Sequence, residues 1–194
     1  MNKLFKNLGI IIATFSLAAC GGTSGMSESA FEEKAAALDR SHDYTGAELA
    51  FSVEMKVNGK AAGSATATAT YTFTDGAFET TNSTLPSGYE TMANLINVYQ
   101  IDNVKSVVAM LETAGLNATI SYSGTDTALS ATIKGSVSAS ESGISVTTKA
   151  TVTIDWDEHG LVKKAVEVDE IKVSGNGQSA TQWGKSVCTF TYTK

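Results

Sequence analysis

From Leu49 to Val57 the chain alternates: Leu49, Phe51, Val53, Met55 and Val57 are apolar, while Glu48, Ser52, Glu54 and Lys56 fall on the other side. A period of two is the signature of a strand with one buried face. Asn58-Gly59 follows, the dipeptide that a tight two-residue hairpin favours. The return strand places Ala65, Ala67, Ala69, Tyr71 and Phe73 on one face and Ser64, Thr66, Thr68, Thr70, Thr72 and Thr74 on the other. Asp75-Gly76 predicts a second turn, and Ala77 to Thr81 a short third strand. After Gly115 the alternation resumes. Ala118, Ile120 and Tyr122 mark one strand, and Leu129, Ala131, Ile133 and Val137 the next. A turn at Glu141-Ser142-Gly143 leads into a long strand carrying Ile144, Val146, Val152, Ile154 and Trp156. Asp157-Glu158-His159-Gly160 reads as another turn. The following strand carries Val166 and Val168, then Ile171 and Val173. Its parity slips by one at Asp169-Glu170, which predicts a β-bulge that returns the apolar residues to one face. The last strand has Cys188, Phe190 and Tyr192 opposite Thr189, Thr191 and Thr193.

Two segments have helical spacing instead. Ser29-x-x-Glu32 has the form of a capping box, with Phe31, Ala35 and Leu38 on one face of a helix expected to end near His42-Asp43. Beyond the break at Leu85-Pro86, the residues Tyr89, Met92, Leu95, Ile96 and Tyr99 recur at helical spacing. Asp102 is then the expected N-cap of a second helix with the stripe Val104, Val107, Val108 and Leu111, stopped by Gly115. The two read as an αα-hairpin. The fold class expected is α+β: a single curved antiparallel β-sheet, a half-barrel of about seven or eight strands. An N-terminal helix and the central αα-hairpin cover its apolar face.

The first residues belong to another kind of segment. Lys3 and Lys6 precede an apolar run from Leu8 to Leu17, and the small residues Ala18 and Ala19 follow. That is the layout of a secretory signal peptide, and the run is too short to span a bilayer. Leu17-Ala18-Ala19-Cys20 resembles the lipobox of bacterial lipoproteins. The resemblance implies a diacylglyceryl group on the Cys20 thiol, carrying acyl chains such as palmitate, and cleavage before Cys20. Two acyl chains give stable attachment where one is marginal. The chain then divides into a signal peptide at 1–19, a lipidated flexible tether at 20–28 and a folded domain at 29–194. The expected location is the cell membrane or the outer membrane, lipid-anchored and facing away from the cytoplasm.

Charge narrows the function. The 194 residues carry 14 Lys and Arg against 20 Asp and Glu, a net charge of −6. Loss of Lys3 and Lys6 with the signal peptide makes it about −8, and Arg40 is the one arginine. No basic face is available to neutralise phosphates, so nucleic-acid binding is excluded. Cys188 is the only cysteine besides Cys20, so the domain has no internal disulfide. Its position on the apolar face suits a buried structural thiol. His42 and His159 stand apart from cysteines and from patterned carboxylate pairs, so no metal site is expected. No Gly-x-Ser-x-Gly, phosphate-binding Gly loop or Cys–His pair occurs, and neither an enzyme nor a cofactor is expected. Asp155 and Asp157, flanking Trp156, belong to the polar face. Asp169-Glu170, at the expected bulge, is the better place to look for a re-aimed side chain.

The element order resembles the LolA/LppX group: a lipobox, a short tether, a helix feeding a long strand, an early hairpin, central helices and a run of antiparallel strands. It also resembles the small Gram-positive lipoproteins that share this plan. Trp156-Asp157-Glu158-His159-Gly160-Leu161, a strand turning through a polar-Gly loop, is one of the pieces that carries the likeness. The resemblance implies a half-barrel with an apolar cavity that holds acyl chains in some members. The candidate lining is Phe51, Val53, Tyr71, Phe73, Ile133, Val146, Trp156, Phe190 and Tyr192. The function expected is a non-catalytic, membrane-anchored lipoprotein that binds a lipid or amphiphile between sheet and helices. The alternative is a structural lipoprotein with a filled core that presents its polar sheet face or loops to an envelope protein partner.

Overall fold

The computed structural model describes residues 25–85 and 94–194. The expected signal peptide, Cys20, and the helical positions Tyr89 and Met92 lie outside those ranges. Eight strands form one antiparallel sheet, ordered β3-β2-β1-β8-β7-β6-β5-β4. They are β1 (Gly46–Val57), β2 (Lys60–Thr74), β3 (Ala77–Ser83), β4 (Asn117–Gly124), β5 (Leu129–Glu141), β6 (Ile144–Trp156), β7 (Val162–Gly175) and β8 (Gln178–Thr193). The order is that of two hairpin meanders, β1–β3 and β4–β8, joined where β1 pairs antiparallel with β8. The sheet is open, with β3 and β4 at its edges.

Turn chemistry explains the hairpins. Asn58-Gly59, Asp75-Gly76, Ser142-Gly143 and Asn176-Gly177 each hold both residues at positive φ. That is the type I′ geometry whose twist matches that of the flanking strands. Asn58 also ties its turn to β8. Its backbone N–H donates to the Thr181 carbonyl and its Oδ1 accepts from the Thr181 N–H, both at 2.8 Å.

The turn between β6 and β7 is built differently. Asp157 is 6 % exposed, and its Oδ1 accepts from the backbone N–H groups of His159 and Leu161, each at 2.9 Å. This corrects the assignment of Asp157 to the polar sheet face: an Asx turn draws the carboxylate inward, where it substitutes for missing backbone partners. Asp157→Ala strands two donors in a buried turn and is expected to cost about 1–3 kcal/mol, read as a lower urea midpoint with an unchanged m-value.

The expected bulge at Asp169-Glu170 is absent. Asp169 pairs with Ala150 and Gly184, and Glu170 with Lys149 and Trp183, in continuous register. The shift in β7 lies earlier: Asp155 pairs with Lys164 and Trp156 with Val162, so Lys163 is the extra residue. The consequence is large. Residues of β7 that share the face of Trp156, Ile154, Val152 and Ala150 are Val162, Ala165, Glu167 and Asp169. Val166 and Val168 therefore face outward, contrary to the alternation reading, and two carboxylates face the core.

The helices are shorter than their spacing implies. Helix α1 (Glu28–Ala37) is capped by Ser27, whose Oγ accepts from the Ala30 N–H at 3.2 Å, rather than by Ser29. Residues assigned to the tether's end are already engaged: the Met26 N–H bonds to the Tyr122 carbonyl at 2.8 Å, on edge strand β4. The helix stops at Ala37, well before His42. Leu38 turns extended, and Asp39 Oδ1 captures the Ser41 N–H at 2.9 Å and its hydroxyl at 2.6 Å in a competing local turn.

Of the first arm of the expected αα-hairpin, the described part is one turn, α2 (Leu95–Val98). A 3₁₀ turn at Ile101–Asn103 leads into α3 (Val104–Thr113). Asp102 does not cap α3; its Oδ1 pairs with Arg40 Nη2 at 2.9 Å. Val104, Val107 and Leu111 are buried, as the stripe implied, and Gly115 closes the helix at φ 85°. Leu111 packs over Gly135 of β5, where a Cβ would stand 3.0 Å from the Leu116 Cβ and 3.6 Å from Leu111 Cδ1. Phe31 of α1 stacks on Tyr122 at 4.2 Å and lies 5.8 Å from the Trp156 ring. Asn97 binds both backbone groups of Phe78 on β3, at 3.1 and 2.8 Å. Among the described residues no helix is long and apolar enough to cross a membrane.

Candidate functional site

The nine residues expected to line a cavity all fall on the inward face of the sheet. Pairing puts Ala47 between Tyr71 and Tyr192, Phe51 beside Cys188, and Ile133 beside Val152. Phe51, Tyr71, Ile133, Trp156 and Phe190 are buried, at 5 % exposure or less. Val53, Phe73, Val146 and Tyr192 are half-buried.

These differences in burial have a pattern. Ile154, Val162 and Trp156, at one end of β6 and β7, are at most 2 % exposed. Toward the opposite end the inward side chains Val53 and Met55 of β1, Val137 of β5, Val146 of β6 and Val173 of β7 are half-buried. Val57 and Ile144, further out, are 45 % and 41 % exposed. Inward apolar side chains thus become more exposed toward that end of the sheet.

Glu167 and Asp169 lie on the inward face between these two ends, with buried Ile171 and Thr148 in the row beyond Asp169. As i and i+2 on β7 they share the inward face. Glu167 is flanked by Val152 and Ser186, and Asp169 by Ala150 and Gly184, so small side chains surround the pair. Glu167 is 3 % exposed; Asp169 is half-buried. The Tyr99 hydroxyl donates to Glu167 Oε2 at 3.3 Å, while Glu167 Oε1 and Asp169 Oδ1 are buried without a hydrogen-bond partner. Burial, reinforced by the neighbouring Asp169, pushes the Glu167 carboxyl well above the ordinary carboxylate range. Burial alone pushes Asp169 up to about 8. The same desolvation raises the Tyr99 hydroxyl and the Cys188 thiol, with Glu167 adding to both. Near neutral pH the site is thus a set of protonated groups on an apolar floor. Cys188 is buried, as its place on the apolar face implied.

A sequence reading that favoured Asp169 and Glu170 found half of this pair. Glu170 faces outward, 3.2 Å from Lys149. Glu167 was missed because Val166 and Val168 on either side matched the apolar alternation. The signal was the pair of like charges two residues apart, which only the corrected register turns inward.

A second feature lies at the covered end. A recess of about 240 Å³ is bounded by Arg40, His42, Phe73, Gln100 and His159 among others. His42 Nδ1 and Gln100 Oε1 are buried there without partners. The His42 ring meets Tyr44 at 5.1 Å and Phe73 at 4.8 Å, while His159 Nδ1 contacts the Asp39 carbonyl at 2.8 Å. Arg40 is committed to the Ala35 carbonyl and to Asp102. Among the described residues no three His, Cys, Asp or Glu side chains are placed to hold a metal. The chain matches no protein-family model and no curated protein.

Proposed function

We propose that the protein is a cell-envelope lipoprotein, anchored through acyl chains on Cys20, that holds a lipid or other hydrophobic ligand against the inward face of a half-barrel sheet without catalysing a reaction. The observation that carries this reading is the inward apolar surface left half-covered beyond the helices: Val53, Met55, Val137, Val146 and Val173. Apolar surface kept accessible inside a sheet is stable only when something shields it. An acyl chain has the shape and chemistry to lie along such a lane, with the covered core behind it. A LolA/LppX-like plan, expected from the element order, is compatible with one open antiparallel sheet bearing few helices.

The test uses the chain from Gly25 onward, which contains every described element and no acylation site. Purified without detergent, it is examined by native mass spectrometry before and after exposure to lipid. A near-stoichiometric adduct is the expected result; a clean apo mass with no uptake sinks ligand binding. The anchor is checked in cells, where Cys20→Ser is expected to abolish incorporation of labelled palmitate.

A second reading rests on the opposite face. Val168, Val187 and Trp183 are half-buried apolar residues among threonines and lysines, and Lys56 Nζ sits 4.4 Å from the centre of the Trp183 ring. A protein partner in the envelope would dock on that face, and a ligand-free mass spectrum would favour it.

A further inference from the structure

We infer that Glu167 and Asp169 form the head-group end of the ligand site and select an amphiphile with a primary ammonium head, its chain lying along Val53, Met55, Val146 and Val173. The inference rests on the proposed binding of an apolar ligand and specifies its chemistry.

Hydrocarbon alone gives no reason for two carboxyl groups on the inward face. Each costs stability unless it finds a partner. Glu167 has one oxygen satisfied by Tyr99 and one unpaired; Asp169 has an unpaired Oδ1 and remains partly accessible. Among the described residues no lysine or arginine pairs with either. On the neighbouring strands Lys149 and Lys185 are paired opposite Glu170 and Val168, which places them on the outer face. The titratable groups turned toward the pair are Tyr99 from the end of α2 and Cys188 from β8, both neutral near pH 7. The site therefore offers hydrogen-bond acceptors and latent negative charge, and supplies no cation of its own. The Tyr71 hydroxyl, on the inward face of β2 and 4 % exposed, is also buried without a partner.

Position then joins the head to the tail. Along β7 the pair has buried Ala165 and Val162 on one side and buried Ile171 followed by half-buried Val173 on the other, while in the row of Asp169 the neighbouring Gly184 and Met55 are half-buried. A ligand lying across half-buried Met55 and Gly184 meets Asp169, the more accessible carboxyl, with Glu167 behind it. An ammonium head can donate to both unpaired oxygens, and ionisation of one carboxyl on binding releases a proton to solvent and completes a short ion pair. A fatty acid brings a third carboxyl to the same place, and an alcohol brings no charge.

The experiment titrates the chain from Gly25 with dodecylamine, dodecanol and dodecanoic acid at pH 7, each below its aggregation limit, by calorimetry in two buffers of different ionisation enthalpy. Dodecylamine is expected to bind at least about tenfold tighter than dodecanol, with net proton release that the other two do not show. The double variant Glu167→Gln, Asp169→Asn should bring the amine-to-alcohol ratio to within about twofold and abolish the proton release. Both substitutions conserve volume, and should the double variant fold poorly, the single variants Glu167→Gln and Asp169→Asn are each expected to narrow the amine-to-alcohol ratio. Equal affinity for amine and alcohol, or an amine preference that survives the double variant, overturns the inference while leaving ligand binding intact. Failure of all three probes to bind overturns the ligand reading itself, and the inference with it.

Discussion

Stability is expected to fall as pH rises from 5 to 8, the reverse of the trend for a protein whose carboxylates are paired. The cause is the inward pair on β7. Asp169 is raised to about 8 and Glu167 well above its ordinary value, both by burial first. In the unfolded chain both groups release their protons near pH 4. Between those limits the native state holds protons that the unfolded state has lost. The stability they contribute is fully present below the unfolded value and drains away as pH climbs through the folded one. The slope is about 1.4 kcal/mol per pH unit for each group, so Asp169 alone accounts for up to about 2.7 kcal/mol between pH 5 and 7. For a domain of this size that is a fall of roughly 5–10 °C in Tm. Asp155, raised by burial against the pull of Lys164 and Lys163, acts in the same sense. Exposed Asp39 and Asp43 are lowered by hydrogen bonds, from Ser41 and Lys194 respectively, and act oppositely, but only at pH values near and below their own titration. Urea midpoints across pH 5–8 test this, with the Glu167→Gln, Asp169→Asn double variant expected to flatten the curve. A curve that is flat or rising in the unmodified chain would mean that both carboxyls are ionised and solvated in the native state.

Trp156→Ala is expected to be the most damaging of the single core substitutions considered, at about 3–5 kcal/mol. Trp156 ends β6 at 2 % exposure and joins the sheet to the helix layer in two ways. Its Nε1–H donates to the Tyr99 carbonyl at 2.6 Å, and its ring meets Phe31 of α1. Truncation empties an aromatic volume and strands a buried carbonyl at once. Trp156→Phe keeps most of the volume and loses the hydrogen bond, so about 1–3 kcal/mol is expected. Ile144→Ala at the exposed end of the same strand should stay within about 0.5 kcal/mol. Denaturant unfolding of the three variants checks the order. Equal losses at positions 144 and 156 would show that the helix layer does not cover one end of the sheet more than the other. The Tyr99 link matters for the site as well, because the same residue donates to Glu167.

Much of the architecture was legible in the chain because period two and turn chemistry are local. Strands β1, β2, β5 and β6 follow directly from their alternation, and Asn58-Gly59 and Asp75-Gly76 adopt the backbone that those dipeptides favour. Gly115 closes α3 for the same reason. Helix ends were less legible. Asp39 capturing Ser41, and the Asn97 side chain reaching from α2 to the Phe78 backbone, are interactions that spacing does not reveal.

Three features required the tertiary structure. Pairing of β1 with β8 joins the two ends of the described domain, and no local pattern specifies a contact between segments so far apart. The face of Glu167 depended on one extra residue at Lys163: a slip of one reverses every side chain downstream, and Val166 and Val168 made the wrong face look right. The half-covered apolar lane appears only when strand length is set against the reach of short helices. Alternation records which residues can be buried. Burial itself is decided by what packs across the sheet, and here it falls from Trp156 and Val162 at one end to Ile144 and Val57 at the other.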